Sequence, residues 1–274
     1  MNDAATHTIS LVIPTKDRPR LLRRALDSIA SQCHRPLEVL VVDDGSAVPC
    51  AGLEEEYPGL DIVVFRNEKS IGAAAARNLG GMNARGSLIG FLDDDDEYLP
   101  GFLADVLAYW EKHRHQVSLT WCGAEVLHQA EGDAPDGAVP WPVRFNGGDA
   151  NIELIESQLL SVGIGFGVFV SADVFFQVCG FDDRFKFVED TDFFLKVLLN
   201  GFRVSPLERI GVRLHQHAGD RLTSATNNRR RSDECVSLVW KHRRDLAARP
   251  HLLSQLIRRA KRLRSHDLDG VETY

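Results

Sequence analysis

Four consecutive aspartates, Asp93, Asp94, Asp95 and Asp96, close the apolar run Leu88-Ile-Gly-Phe-Leu92, and Glu97 follows them. Carboxylates this close together cannot all stay ionised at a strand end unless a cation or solvent absorbs their repulsion. An all-oxygen cluster suits Mg²⁺ or Mn²⁺, hard cations that keep waters and accept phosphate oxygens. Alone, the run would read as an acidic surface turn. Its context argues otherwise, because a second pair, Asp43-Asp44, ends an earlier apolar run. A third acidic group, Glu189-Asp190 with Asp192, opens a helical pattern, where a carboxylate could also serve only as an N-cap. His215 and His217 flank Gln216 after the strand-like stretch Ile210 to Leu214. Alternate residues of a strand share a face, so both imidazoles could address one ligand, with Arg221 close behind them.

The elements that carry these residues follow from periodicity. Ile9 to Ile13 is a short apolar run ended by Pro14, the pattern of a buried parallel strand. Asp17 is the expected N-cap of the next helix, with Pro19 in its first turn and Leu21, Leu22, Ala25, Leu26 and Ile29 on one face. Strands are predicted over residues 37–42, 62–65, 88–92 and 117–126. Helices are predicted over 70–85, 99–110 and 191–200, the last stopped by Gly201, with a strand starting at Phe202. Residues 128–150 are rich in Gly, Pro and Asp and read as a loop or insertion. Strands alternating with helices imply an open α/β sheet with ligands at the C-terminal strand ends, where Pro14 to Asp17, Asp43 to Ser46 and Asp93 to Asp96 all fall.

The chain has 274 residues, 44% hydrophobic and 26% charged, enough for one large core or a core with an appended segment. Its five scattered cysteines form no Cys-x-x-Cys pair, which argues against a disulfide framework or zinc site and for a reducing compartment. No signal peptide or bilayer-spanning run is visible, so a cytoplasmic location is expected. Charge is unevenly spread: residues 227–266 hold twelve Lys/Arg against three acids, in a chain whose net charge is −7. A basic amphipathic pattern there, with Leu252, Leu253, Leu256, Ile257, Ala260 and Leu263 opposite Arg258, Arg259, Lys261, Arg262 and Arg264, suits either an anionic membrane surface or docking on the acidic body or a second subunit. The acidic body makes nucleic acid a poor partner. A dinucleotide-binding fold is excluded by the first turn, Pro14-Thr-Lys-Asp17, which has no glycine to admit a pyrophosphate.

Seven segments standing in order resemble the inverting, nucleotide-sugar-dependent glycosyltransferases of family 2, with the GT-A fold. They are Ser10-Leu-Val-Ile-Pro-Thr15, Leu26 to Gln32, Glu38 to Ser46, Gly72 to Gly80, Phe91 to Asp96, Val178 to Asp182 and Glu189-Asp190. The resemblance implies an open, mostly parallel sheet flanked by helices, with a catalytic domain over residues 1–225 and a basic helical extension over 226–274. It implies that Asp93-Asp94-Asp95 is the Asp-x-Asp motif, with Asp95 binding the metal and Asp93 and Asp94 near ribose or water, Asp93 being also a candidate metal ligand; Asp96 leaves the register open by one. His217, and less so His215, would complete the Mn²⁺ or Mg²⁺ site. Asp44 would accept from a uracil-type base beside Pro14, Thr15 and Asp17, while Arg77 would contact phosphate or order the Asp44 loop. Asp190, or failing it Glu189, would be the general base that inversion requires. The implied activity is transfer from a nucleoside diphosphate sugar, UDP-linked by preference, to a glycan or glycoconjugate acceptor in surface polysaccharide assembly. Use of a dTDP- or GDP-sugar, or an idle GT-A module that binds glycans or partners, stand as alternatives. A homodimer or a peripheral contact with the inner membrane face would involve the C-terminal helices.

Overall fold

The computed structural model describes residues 7–113, 116–128, 136–141, 152–216 and 225–269. The first half alternates strand and helix: β1 (Ile9–Thr15), α1 (Pro19–Ala30), β2 (Glu38–Asp43), the single turn α2 (Leu53–Glu56), β3 (Ile62–Arg66), α3 (Ala73–Met82) and β4 (Leu88–Phe91). The two-residue β5 (Glu97–Tyr98), α4 (Phe102–Lys112), β6 (Leu119–His128), β7 (Asp136–Trp141), α5 (Ile152–Leu159), β8 (Phe169–Ser171) and α6 (Ala172–Gln177) follow. Then come α7 (Glu189–Leu199), β9 (Val204–Gln216), α8 (Asn228–Lys241), α9 (Arg243–Leu246) and α10 (Pro250–Asp269).

The sheet order is β3-β2-β1-β4-β8-β6-β9-β5, with β7 paired to β6. The first four strands are parallel, and the chain steps outward from β1 to β3 before returning to the other side of β1 as β4. That reversal opens a crevice beyond the carboxyl ends of β1 and β4, where Thr15 and the four aspartates sit. The central strands read as continuous apolar runs because both faces are covered. Val12, Leu40 and Ile89 pack into one cluster, while Leu11, Ile13, Val39, Val41 and Leu88 pack into another on the opposite face.

The small residues of α3 have a steric cause. A Cβ at Gly80 would lie 2.5 Å from a methyl of Val12, and one at Gly81 would lie 2.5 Å from the Phe175 ring. Only a helix without side chains there can press this close to the sheet and hold Arg77 over the crevice. The helix is shorter than the predicted span of 70–85, because residues 67–72 are drawn into a loop around Asp44. Asp17 is not the N-cap of α1. Pro19 keeps the residue before it out of helical geometry, so Arg18 takes the cap position at φ −127° and Asp17 turns left-handed at φ 55°. Gly201, at φ 78°, ends α7 as the sequence predicts.

The C-terminal helices dock on the body. Cys235, Leu238, Leu246, Leu252, Leu256 and Leu263 are buried in the same cluster as Phe193 and Phe194 of α7. Polar contacts line the seam: Arg249 Nη1 reaches Glu156 Oε1 at 2.5 Å, His251 Nε2 lies 2.7 Å from Glu156 Oε2, and Gln255 Nε2 donates to the Ser157 carbonyl at 2.7 Å. Most of the apolar side of α10 is therefore buried against the protein itself, and Ile257, Arg258, Lys261 and Arg262 face solvent. Among the described residues no helix is long and apolar enough to cross a membrane.

Candidate active site

The carboxyl end of β1 meets the end of β4 through one hydrogen bond, Thr15 Oγ1 donating to Asp94 Oδ2 at 2.7 Å. Arg18 Nη1 then bridges Asp94 Oδ1 at 3.1 Å and Asp95 Oδ2 at 3.2 Å. Arg24 Nη2 donates to the backbone carbonyl of Asp95 at 2.5 Å. Burial pushes the Asp94 carboxyl up to about 6, against the pull of Thr15 and Arg18.

Exposure alternates along the acidic run. Asp94 and Asp96 are buried, whereas Asp93 and Asp95 are half-buried. The inward pair is consumed by the protein: Asp94 by Thr15 and Arg18, and Asp96 Oδ1 by the backbone N–H of His215 at 3.0 Å. Asp93 and Asp95 face the crevice, the spacing expected of an Asp-x-Asp pair. Each keeps one carboxylate oxygen, Asp93 Oδ2 and Asp95 Oδ1, without a donor among the described residues.

Asp44 is also brought to the crevice but is fully engaged. Its Oδ1 accepts from Asn67 Nδ2 and the Ile71 N–H, both at 2.9 Å, and its Oδ2 accepts from Ser70 Oγ at 2.7 Å and the Gly72 N–H at 2.9 Å. Burial works to raise this carboxyl, but the four donors outweigh it and hold it below the usual range. Four donors fill the acceptor capacity of a carboxylate, so a nucleobase would have to displace one of them. Asp43 is occupied similarly by Ser46, Cys50 and Arg66. Asp17 lies at the solvent side, its Oδ1 accepting the Ala47 N–H at 2.6 Å, and Pro14 is half-buried beside it.

Arg77 connects the two halves of the site. It is 5% exposed, with Nη2 on Asp93 Oδ1 at 2.7 Å and Nη1 on Glu189 Oε1 at 3.1 Å. It is a buried ionic bridge from the β4 acids to the first turn of α7, where Glu189, Asp190 and Asp192 gather on the positive end of the helix dipole. The three acids diverge in role. Burial, reinforced by the neighbouring Asp190 charge and opposed by Arg77, pushes Glu189 up to about 7. Asp192, fully buried, binds Lys241 Nζ at 2.7 Å and His242 Nε2 at 2.8 Å, pinning α7 to the C-terminal helices. Asp190 is half-buried; its Oδ1 accepts from the Thr191 N–H at 2.6 Å and from Thr191 Oγ1 at 3.1 Å.

Between these groups runs the segment 160–167. A Cβ at Gly163 would lie 3.3 Å from Asp190 Oδ2, and one at Gly165 would lie 3.2 Å from Asp96 Oδ2 and 3.4 Å from Asp93 Oδ2. The two glycines carry no side chain where the segment passes the Asp190 carboxylate at one end and the Asp93 and Asp96 carboxylates at the other. Val162, Ile164 and Val168 point into the core, and Trp121 is fully buried there.

His215 is buried with Nε2 2.5 Å from Glu97 Oε1, so this nitrogen is turned toward Glu97. His217 and Arg221 lie outside the described residues. Among the described residues no three His, Cys, Asp or Glu side chains form a metal site by themselves. The donor set still fits Mg²⁺ or Mn²⁺ in kind: two aspartate oxygens face the crevice, and such ions leave further positions to water and phosphate. Arg18, Arg24 and Thr191 were not marked by sequence reasoning. Of these only Arg18, three residues past Thr15, carried a positional signal.

Residues 10–131 match the family model described as glycosyl transferase family 2. An uncharacterized glycosyltransferase of Rickettsia prowazekii is 24% identical over 222 residues, covering 80% of this chain and 67% of the relative. Staphylococcus aureus TarS in complex with UDP-GlcNAc superposes with a TM-score of 0.65 at 22% identity, over 84% of this chain and 66% of that one. The mannosyltransferase PcManGT from Pyrobaculum calidifontis, in complex with GDP-Man and Mn²⁺, gives a TM-score of 0.64 at 17% identity, over 98% and 77%. The chain spans 67% or less of the length of the first curated relatives it matches. Residues 10–131 are therefore similar to glycosyl transferase family 2, and the strand order with these structural likenesses gives the chain an α/β fold of the GT-A type.

Proposed function

We propose that this chain is a metal-dependent, inverting glycosyltransferase that moves a sugar from a nucleoside diphosphate, UDP by preference, to a glycan or glycoconjugate acceptor in surface polysaccharide assembly. The observation that carries the reading is that one glycine-bearing segment passes both Asp190 Oδ2, at Gly163, and Asp93 Oδ2, at Gly165, while Arg77 ties Asp93 to Glu189 beside Asp190. The UDP and Mn²⁺ preferences draw on TarS, which holds UDP-GlcNAc, and on PcManGT, which holds Mn²⁺ with a GDP-sugar.

Asp93 and Asp95 would hold the divalent cation, with His217 as a further ligand; the cation would neutralise charge on the departing diphosphate. Arg18, 47% exposed at its side chain, is free enough to turn from Asp95 toward a phosphate oxygen. Arg221 is a second phosphate candidate. Pro14, Thr15, Asp17 and the Asp44 loop would form the wall beside the base. On the acceptor side, Asp190 Oδ2 takes the hydroxyl proton as that oxygen attacks the anomeric carbon. The bond from that carbon to the diphosphate oxygen breaks on the opposite face, and its electron pair leaves with the diphosphate. Asp190 suits the base better than Glu189, because Glu189 is buried and its Oε1 is held by Arg77. In Asp190→Asn, turnover should fall at least about 100-fold with donor affinity unchanged, since a base acts only in the transition state. Full turnover in Asp190→Asn with loss in Glu189→Gln would move the role to Glu189.

A further inference from the structure

We propose that Arg259, on the C-terminal helix α10, is a positioning residue for the Asp190 carboxylate and acts through the Thr191 hydroxyl. The proposal rests on Asp190 being the base. Arg259 Nη1 lies 2.9 Å from Thr191 Oγ1, and Thr191 is 1% exposed. A guanidinium only donates, so the hydroxyl oxygen must accept from it. The single hydroxyl proton is then left for Asp190 Oδ1, 3.1 Å away, and the Thr191 N–H reaches the same oxygen at 2.6 Å. With two donors on Oδ1 the carboxylate plane is set, and Oδ2 beside Gly163 is the edge that remains for a substrate proton.

The same Arg259 nitrogen is 3.4 Å from the carbonyl of Leu160, where the segment leading to Gly163 and Gly165 begins. One guanidinium thus spans the base and the wall that faces it. Among the described residues its hydrogen-bond partners are a hydroxyl and a carbonyl, not a carboxylate. A second guanidinium sits nearby on α8. Burial and the Arg259 charge hold Arg231 below its ordinary value, with Asp190 pulling the other way. Placing two cations together at a partly buried seam is costly, which fits a purpose at Asp190 better than simple docking. The docking itself is already supplied by Arg249, His251 and Gln255 against residues 156 and 157, and by the buried Leu252, Leu256 and Leu263.

The test uses the full chain with Mn²⁺, following UDP release from UDP-GlcNAc or UDP-glucose with water as the acceptor. Donor affinity is measured by calorimetry, and each variant is assayed well below its melting temperature. Arg259→Met should lower kcat about 10- to 100-fold, the scale of a small misplacement of a catalytic group, without changing donor Kd. Arg259→Lys, which can still donate to Thr191 Oγ1, should recover most of that loss. Thr191→Val should reproduce it, and the Arg259→Met/Thr191→Val double variant should lose no more than either alone. Wild-type kcat in Arg259→Met with only a lowered melting temperature would overturn the proposal, as would additive losses in the double variant. Asp190→Asn separates the two readings. If it keeps turnover, the base assignment falls. If it is inactive while Arg259→Met turns over normally, only the positioning role falls.

Discussion

Replacing Arg77 with Met removes the cation that joins both ends of the site. Arg77 is 5% exposed and contacts Asp93 Oδ1 at 2.7 Å and Glu189 Oε1 at 3.1 Å. Breaking a buried ion pair by deleting one partner costs about 3–5 kcal/mol, because the remaining charge loses its counter-ion. Two features hold the cost to the lower end. The Asp93 side chain is 31% exposed, so water can take over part of that arm. Glu189, already pushed up to about 7, escapes by taking a proton. A loss of about 3 kcal/mol in a chain of this size corresponds to a fall in Tm of about 6–12 °C. Scanning calorimetry on wild type, Arg77→Met, Glu189→Gln and the double variant at pH 8 reads this directly. The double variant should be more stable than Arg77→Met, since it removes the carboxyl that has lost its partner. A Tm within about 2 °C of wild type in Arg77→Met, or strictly additive losses in the cycle, would refute the buried bridge.

Two further outcomes follow from the same geometry. Glu189 has its pKa raised from the ordinary 4.5 to about 7, so the folded state holds its proton more tightly than the unfolded chain does. The stability of wild type relative to Glu189→Gln should be highest below about pH 4.5 and fall as pH rises to about 7, by up to about 3 kcal/mol; a flat difference in urea midpoints across that range would contradict the burial argument. Leu256 of α10 is 1% exposed, so Leu256→Ala should cost about 2–5 kcal/mol in chemical denaturation. A cost under about 1 kcal/mol would mean that the helix does not depend on this docking face.

The sheet was readable from the chain because its central strands hold short apolar runs followed by Pro14-Thr15, by Asp43-Asp44 and by the aspartate run, although β1 continues through Pro14 to Thr15, and covering both faces leaves no alternation to confuse. The acid cluster was equally plain. Which acids face the crevice was not, since Asp93 to Asp96 look alike until Thr15, Arg18 and the His215 N–H claim two of them. Asp44 was readable as a residue of the crevice but not as the hub of residues 67–72, whose donors reach it from 23 to 28 positions away. Arg77 meets Glu189 across 112 positions and Arg259 meets Thr191 across 68, separations at which spacing carries no signal. The basic face of α10 showed its charge in sequence, but whether its apolar side met lipid or protein depended on a partner surface that only the fold assembles.

The most direct measurement is titration of UDP, GDP and dTDP into wild type, Asp95→Asn and Asp190→Asn by calorimetry, with Mn²⁺ and with chelator. Wild type should bind one nucleoside diphosphate, UDP foremost, in a Mn²⁺-dependent manner. Asp95→Asn should lose that dependence and most of the affinity, whereas Asp190→Asn should bind as wild type does while failing to turn over. Mn²⁺-dependent affinity that survives unchanged in Asp95→Asn, or nucleotide binding that is lost in Asp190→Asn, would contradict the division of the site into a donor end at β4 and a base at α7.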